Sequence, residues 1–295
     1  MNNFNESDHP RGGNPNNPGQ FAHKAHKEAE CSLDDYDPLA GLNVGERRNL
    51  AKDPNTPAEI LARLSEDGHR YVRRGVAYNS NTPTEVLARL SGDEDSDVRR
   101  GVAYNSNTPA EILTRLSEDE DRWVRDWVAR NPNTHPEALT RLSEDEDSWV
   151  RRDVAGNPNA PAEVLTQLSE DKDWSVRRGV ADNPHTPTEV LVRLSEDENP
   201  IVRRLVGGNL NTPTSILTRL SEDESPEVRD WVARNPNTHP EALTRLSEDE
   251  DSWVRRDVAG NPNAPTEVLV RLSKDENPNV RRIARRALQA RANAG

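Results

Sequence analysis

The chain has 295 residues, of which 32% are hydrophobic and 31% are charged, and its formal net charge is −13. Composition alone is typical of a chain with too little apolar surface for a broad core. The sequence has no apolar run long enough for a membrane span or a signal peptide, so we expect a cytoplasmic protein. The single cysteine, Cys31, excludes a disulfide framework.

Residues 1–37 are rich in Asn, Pro, Gly and His and have no period, which is typical of a disordered tail. Within this tail, residues 19–30 are similar to a short leader on many otherwise unrelated actinobacterial and phage- or plasmid-linked proteins. His23, His26 and Cys31 could be drawn as a metal site, but they lack a fourth ligand and a fixed frame. We therefore predict a flexible tail without a metal site.

The rest of the chain repeats a 26-residue unit without insertions. A valine marks the same position in each unit: Val72, Val98, Val124, Val150, Val176, Val202, Val228, Val254 and Val280. Residues 124–161 and 228–265 are identical over 38 positions, four units apart. Growth by in-register duplication is tolerated when each unit contacts only its neighbours, which indicates a solenoid.

Each unit is predicted to contain two short helices. Thr82, Pro83 and Glu85 are predicted to form a capping box with Thr82 as the N-cap, and the helix that follows is predicted to end at Leu90. An acidic turn then leads to the next short helix, at about residues 97–104. No segment alternates as a strand does, so we predict an all-α fold.

This period divides the chain into four predicted segments. They are a disordered tail at 1–37, an N-terminal cap at 38–45, nine repeats at 46–279, and a partial repeat with a C-terminal cap helix at 280–295. Leu39, Leu42 and Val44 are expected to cover the first unit, because terminal repeats need a cap.

The pattern V-R-x-x-V-A-x-N-x-N-T-P-x-E-x-L-x-R-L-S-x-D resembles the leucine-rich repeat variant over residues 46–290. The resemblance implies an α-solenoid, a right-handed superhelix of alternating α and 3₁₀ helices. One type of member carries an iron–sulfur cluster on an N-terminal cysteine group. A cluster normally takes four cysteines and this chain has one, so no cofactor is predicted. The family otherwise implies no settled activity.

An Asp stands six residues before an Arg in every unit from Asp67 and Arg73 onward, a spacing that resembles that of HEAT repeats. A half-buried Arg requires a partner, so we predict an Asp–Arg ladder that links neighbouring units, in preference to ligand binding. Its central members are Asp93, Arg99, Asp119, Arg125, Asp145, Arg151, Asp171 and Arg177.

The positions that vary between units lie on the opposite arc of the first helix, at a rotation of about 100° per residue. Arg recurs there, and all six tryptophans lie on this side. The predicted binding residues, called here the Arg/Trp face, are Arg74, Arg100, Trp123, Trp127, Trp149, Arg152, Arg178, Arg204, Trp231, Trp253 and Arg256. Two interpretations stay open: the rings cover the seams between units, or they form an exposed binding stripe.

Two classes of function fit a constant frame with a variable face. The first is a non-catalytic scaffold that binds a protein partner. The second is a nucleic-acid binder that pairs Arg with phosphate and stacks bases on Trp, which the net charge of −13 disfavours unless the acidic turns lie on a far edge. The sequence has no phosphate loop, no metal spacing and no nucleophile–base set, so we do not expect an enzyme.

Overall fold

The structure is a computed structural model that describes residues 37–294. Every regular element in this part of the chain is a helix. In each repeat a first helix of eight or nine residues is followed by a second helix of seven residues, and the last helix of the chain is longer. The first helices are α1 Val44–Lys52, α3 Arg70–Ala77, α5 Ser96–Tyr104, α7 Arg122–Arg130, α9 Ser148–Gly156, α11 Trp174–Asp182, α13 Pro200–Gly208, α15 Pro226–Arg234, α17 Ser252–Gly260 and α19 Pro278–Ala294. The second helices are α2 Ala58–Leu64, α4 Thr84–Leu90, α6 Ala110–Leu116, α8 Pro136–Leu142, α10 Ala162–Leu168, α12 Thr188–Leu194, α14 Thr214–Leu220, α16 Pro240–Leu246 and α18 Thr266–Leu272.

A side-chain cap starts most of the first helices. In α5, Asp95 is the N-cap, and its carboxylate accepts a hydrogen bond from the Asp97 N–H at 3.0 Å. Val98 and Val102, four residues apart, are fully buried on one face. The helix ends at Tyr104 because Asn105 adopts an extended conformation.

The second helices begin without the predicted capping box. Pro83 is the N-cap of α4 and has no side-chain cap hydrogen bond. The Thr82 hydroxyl donates instead to the Val76 carbonyl at 2.6 Å, satisfying an acceptor at the end of the previous helix. The prediction of Thr82 as an N-cap was therefore wrong, because the open carbonyls of α3 lie closer to its hydroxyl.

Successive units are joined through buried asparagines. Asn157 follows α9, and its amide donates to the carbonyls of Ala129 and Asn131 in the unit before, at 2.6 and 3.1 Å. The same two bonds recur at each equivalent Asn from Asn79 to Asn261. Each unit thereby satisfies the backbone of its predecessor, which fixes the register of the stack.

The first helices form the more tightly packed layer, since consecutive first helices contact each other directly while second helices touch sparsely. Glycine permits this approach: a Cβ at Gly101 would lie 2.8 Å from the Ala77 Cβ. Between the layers runs a continuous core of buried Val and Leu. The all-α solenoid predicted from the period is confirmed.

The two ends of the described chain differ. Residues 37–41 form a turn in which Leu39 N–H donates to the Asp37 carboxylate at 2.9 Å. Asn43 and Glu46 form a capping box that starts α1. At the other end α19 extends to 17 residues. None of these helices is long and apolar enough to cross a bilayer.

Candidate interaction surface

The ladder residues join neighbouring units through ion pairs between residues 20 apart. Arg151 donates from Nε to Asp171 Oδ2 at 2.6 Å and from Nη2 to Asp171 Oδ1 at 3.0 Å. Its Nη1 donates to the backbone carbonyl of Asp145, six residues earlier, at 2.8 Å. The Asp six residues before each Arg thus contributes its carbonyl to that Arg and its carboxylate to the Arg of the unit before. The matching pairs are Arg73–Asp93, Arg99–Asp119, Arg125–Asp145 and Arg177–Asp197.

Four tryptophans of the first helices are exposed. Trp149 and Trp253 present 53% and 62% of their surface to solvent, and Trp123 and Trp174 are also exposed. A guanidinium lies over three of these rings, with Arg122 4.0 Å from the Trp123 centroid, Arg152 4.3 Å from Trp149 and Arg256 4.2 Å from Trp253. These distances are within the range of cation–π contacts.

Trp127 and Trp231 are half-buried and lie at seams between units. Trp127 meets the ring of Tyr104 edge-on at 4.8 Å, and Tyr104 in turn contacts Tyr78 at 5.1 Å. Trp231 instead lies over Gly208, the equivalent of Tyr104. The column that contains these two tryptophans was placed on the variable arc of the helix, with a seam and an exposed stripe both left open; Gly75 and Gly101 in it are buried because the neighbouring helix packs on them.

Most arginines of the Arg/Trp face already have acidic partners. Arg74 and Arg100 pair with Asp97 at 3.3 and 2.5 Å, and Arg152 pairs with Asp153 at 2.7 Å. Arg256 pairs with Asp257 at 2.7 Å. Arg178 is exposed, and Arg204 lies 5.5 Å from the Trp231 centroid. The face is therefore a mixture of aromatic rings and neutralised arginines, not a basic stripe.

Sequence reasoning missed two groups of acidic and basic side chains at this face. Asp153 and Asp257 occupy the same column as Trp127, and each meets the Asp of the preceding unit, Asp126 or Asp230. Arg130 and Arg234 bridge the two carboxyl groups in each case. The signal available in the sequence was that the two Asp and the Arg of each group recur together in the 38-residue duplicated block.

Burial and a like charge perturb these carboxyl groups. Burial first, and then the hydrogen bond and charge of Asp153, raise the pKa of Asp126 to about 7 against the opposing effect of Arg130 and Arg152. Burial and Asp257 likewise raise the pKa of Asp230 to about 7. Burial acts to raise the pKa of Asp257 too, but hydrogen bonds from Arg256, Asp230 and Arg234 outweigh it and hold that pKa below its ordinary value.

The acidic turns lie beside the exposed tryptophans, not on a far edge. Asp147, the N-cap of α9, accepts a hydrogen bond from the Trp149 N–H at 2.9 Å. Glutamates equivalent to Glu94 in these turns are almost fully exposed. The turns that precede the exposed indoles along the chain therefore carry exposed negative charge.

No group of three or more His, Cys, Asp or Glu side chains is arranged to hold a metal ion between residues 37 and 294. His23, His26 and Cys31 lie outside the described residues, as does the predicted tail up to residue 36.

The family model described as leucine rich repeat variant matches residues 70–95, 97–121, 122–147, 149–173, 174–199 and 226–251. Among solved structures, a leucine-rich repeat variant with a repetitive structural motif is 30% identical, with 76% of this chain and 87% of that chain covered and a TM-score of 0.54. An engineered protein is 21% identical over 85% of this chain and 96% of that chain, with a TM-score of 0.42. Importin beta is 16% identical over 84% of this chain and 42% of that chain, with a TM-score of 0.40. No curated protein matches the chain.

The family match covers more than half of the chain, and its repeats coincide with the paired helices described above. The resemblance inferred from the V-R-x-x-V-A-x-N pattern is confirmed, and the chain belongs to the leucine-rich repeat variant family.

Proposed function

We propose that this chain is a non-catalytic scaffold that binds a protein partner through the Arg/Trp face. The observation that supports this most directly is the set of exposed indoles with stacked guanidinium groups, including Trp149 under Arg152 and Trp253 under Arg256. Large exposed aromatic rings are unfavourable in water, and Trp and Arg are the residues most enriched at interface hot spots. A cytoplasmic location remains part of the proposal, as does the division into tail, caps and nine repeats.

The charges around the indoles favour a protein over a nucleic acid. A phosphate backbone needs free cations, but Arg152 and Arg256 are already paired with Asp153 and Asp257. The exposed glutamates of the adjacent turns would repel a polyanion. A protein surface with mixed polar and apolar groups meets neither obstacle.

The proposal is tested by capturing partners from cells of the source organism with and without nuclease. The test variant carries Trp149→Ala and Trp253→Ala, and the matched control carries Val192→Ala and Val270→Ala, which remove exposed apolar side chains from second helices. We expect a specific protein that resists nuclease and is retained by the control, with at least a tenfold loss of affinity in the Trp variant. Equal binding by the two variants would contradict the assignment to this face.

The nucleic-acid alternative makes a separate forecast. Binding to DNA or RNA would fall steeply with salt because each phosphate contact releases a counterion. A gel-shift titration at about 50 and 200 mM salt distinguishes the two classes. Tight binding to single-stranded or duplex nucleic acid at the higher concentration would replace the protein-partner proposal.

A further inference from the structure

Two carboxyl groups from adjacent units meet beneath the Arg/Trp face. Asp126 of α7 is 4% exposed, and the Asp153 side chain of α9 is 11% exposed. The Arg130 guanidinium contacts both carboxyl groups, with Nε 2.5 Å from Asp153 Oδ2 and Nη2 3.3 Å from Asp126 Oδ2. Arg152 donates to Asp153 Oδ1 at 2.7 Å, so Asp153 receives two guanidinium groups while Asp126 has one distant contact.

The arrangement is present twice. Four units later, Asp230 of α15 meets Asp257 of α17, and Arg234 contacts both carboxyl groups. Arg256 donates to Asp257 from Nε at 2.7 Å and from Nη2 at 3.1 Å. We call Asp126–Asp153 and Asp230–Asp257 the carboxyl pairs.

One oxygen of the second pair is buried without a donor. Asp230 Oδ1 has no hydrogen-bond partner among the described residues, and neither has the buried Nε of Arg204. An ionised carboxylate oxygen without a donor is costly away from water, whereas a protonated carboxylic acid can donate to a neighbouring carboxylate. Asp257, with two arginines, is suited to accept that bond.

The charged groups around Asp126 come from three helices. Arg130 lies on its own helix, and α9 presents Asp153 and Arg152. On the other side α5 presents Arg100, which is engaged with Asp97. The charged side chains of the second helices α6 and α8 are exposed: Glu111, Arg115, Glu137 and Arg141. Around Asp230 the corresponding groups are Arg234, Arg256, Asp257 and, from α13, Arg204.

We propose that each carboxyl pair shares one proton in mildly acidic solution and releases it near neutral pH, which makes the α7–α9 and α15–α17 seams two pH-sensitive joints in the array. With the proton present, a neutral acid faces a carboxylate that is compensated by two arginines. Without it, two adjacent anions repel each other in a buried site. The proposal concerns the fold itself and does not depend on a partner.

The sign of the effect on stability follows from linkage. The pKa of Asp126 and Asp230 is raised to about 7 in the folded state, whereas an exposed Asp titrates near ~3.9. Between these values the folded state binds more protons than the unfolded state, so stability falls as pH rises. For each pair the unfolding constant rises by up to about tenfold per pH unit in this window and is constant above it.

The experiment uses the full chain and the double variant Asp126→Asn/Asp230→Asn, in which a neutral amide replaces each protonated acid. Infrared spectroscopy should show a protonated carboxyl band in the parent at pH 6 that disappears by pH 9 and is missing from the double variant. In urea melts the variant should exceed the parent's midpoint at pH 5 and exceed it by a wider margin at pH 8, because the parent loses stability as the pH rises between these values. Asp97→Asn is the control, because the Asp97 carboxylate is likewise paired with two arginines, and it should keep the parent's dependence on pH.

Two results would overturn the proposal: no protonated carboxyl band in the parent at pH 6, or a double variant no more stable than the parent at pH 8. Comparing midpoint differences at each pH cancels the titration of the seven histidines, which parent and variant share.

Discussion

Arg177 of one unit holds Asp197 of the next in a two-point ion pair, with Nε 2.6 Å from Oδ2 and Nη2 3.0 Å from Oδ1. The third nitrogen of the same guanidinium donates to the carbonyl of Asp171, in the turn that precedes its own helix, at 2.9 Å. One side chain therefore connects a turn to the following turn. Because the contact recurs along the array, it joins the acidic turns into one edge.

The first prediction compares two acids that contact this one arginine. The Asp197 side chain is 5% exposed, whereas that of Glu198 is 87% exposed and lies 3.4 Å from Arg177. Asp197→Ala removes the two-point partner of a half-buried guanidinium and should lower the free energy of unfolding by about 1–3 kcal/mol. Glu198→Ala should change it by less than about 0.5 kcal/mol. Urea melts of the two variants measure the difference, and equal losses would contradict the structural role of the ladder.

The second prediction compares two glycines at equivalent positions. A Cβ at Gly208 would clash with the Trp231 ring, whereas a Cβ at Gly156 meets no atom within 4 Å. Gly208→Ala should expel the indole, which would shift the Trp emission to longer wavelength and lower the melting temperature. Gly156→Ala should stabilise the chain by up to about 1 kcal/mol, because alanine restricts the unfolded state. A stabilising Gly208→Ala would show that Trp231 does not lie over the glycine.

The third prediction concerns modularity. Deleting residues 150–175 joins Trp149 to Val176 and preserves the 26-residue phase, so we expect a folded chain. Deleting 13 residues instead joins two first helices and removes a layer of the core. Circular dichroism melts should show a cooperative transition for the first deletion alone. Similar melts for both would contradict a stack in which each unit contacts only its neighbours.

The fourth prediction concerns acid. Burial acts to raise the pKa of Asp171, but hydrogen bonds from Arg151 and from the Asp173 N–H outweigh it and hold that pKa below its ordinary value. Such a group stabilises the fold above the unfolded pKa of ~3.9, and this stability is lost as pH falls through the lower folded pKa. The melting temperature should therefore decrease as the pH is lowered below about 4.

The control for this acid effect is Asp171→Asn. It should lower the melting temperature at pH 5 and weaken the further loss in acid, because the titrating group is gone. If the variant and the parent lose stability in parallel below pH 4, Asp171 is not among the groups that drive the change.

The structure distinguishes the tryptophans that suit a binding test from those that do not. Trp127 and Trp231 do not suit it, because Trp127 packs on Tyr104 and Trp231 covers Gly208. Trp149 and Trp253 are the better choice, since more than half of each side chain is exposed. Arg152 pairs with Asp153 and lies over the Trp149 ring, so it belongs to the same surface.

The sequence by itself determined the paired helices, their register and the family. The reason is that valine spacing, turn residues and apolar positions act within one unit, and every unit repeats them. Val98 and Val102 share a face because they stand four residues apart on one helix, whatever lies beyond it.

Only the tertiary structure decided how deep each side chain lies and which charges meet. Asp126 and Asp153 are 27 residues apart, so their encounter depends on how closely α7 and α9 approach. The packing of neighbouring helices also determines that Trp127 is half-buried whereas Trp149 is exposed. A rotation of 100° per residue gives the direction of a side chain on its own helix, but the neighbouring helix determines whether that direction leads to solvent or to a seam.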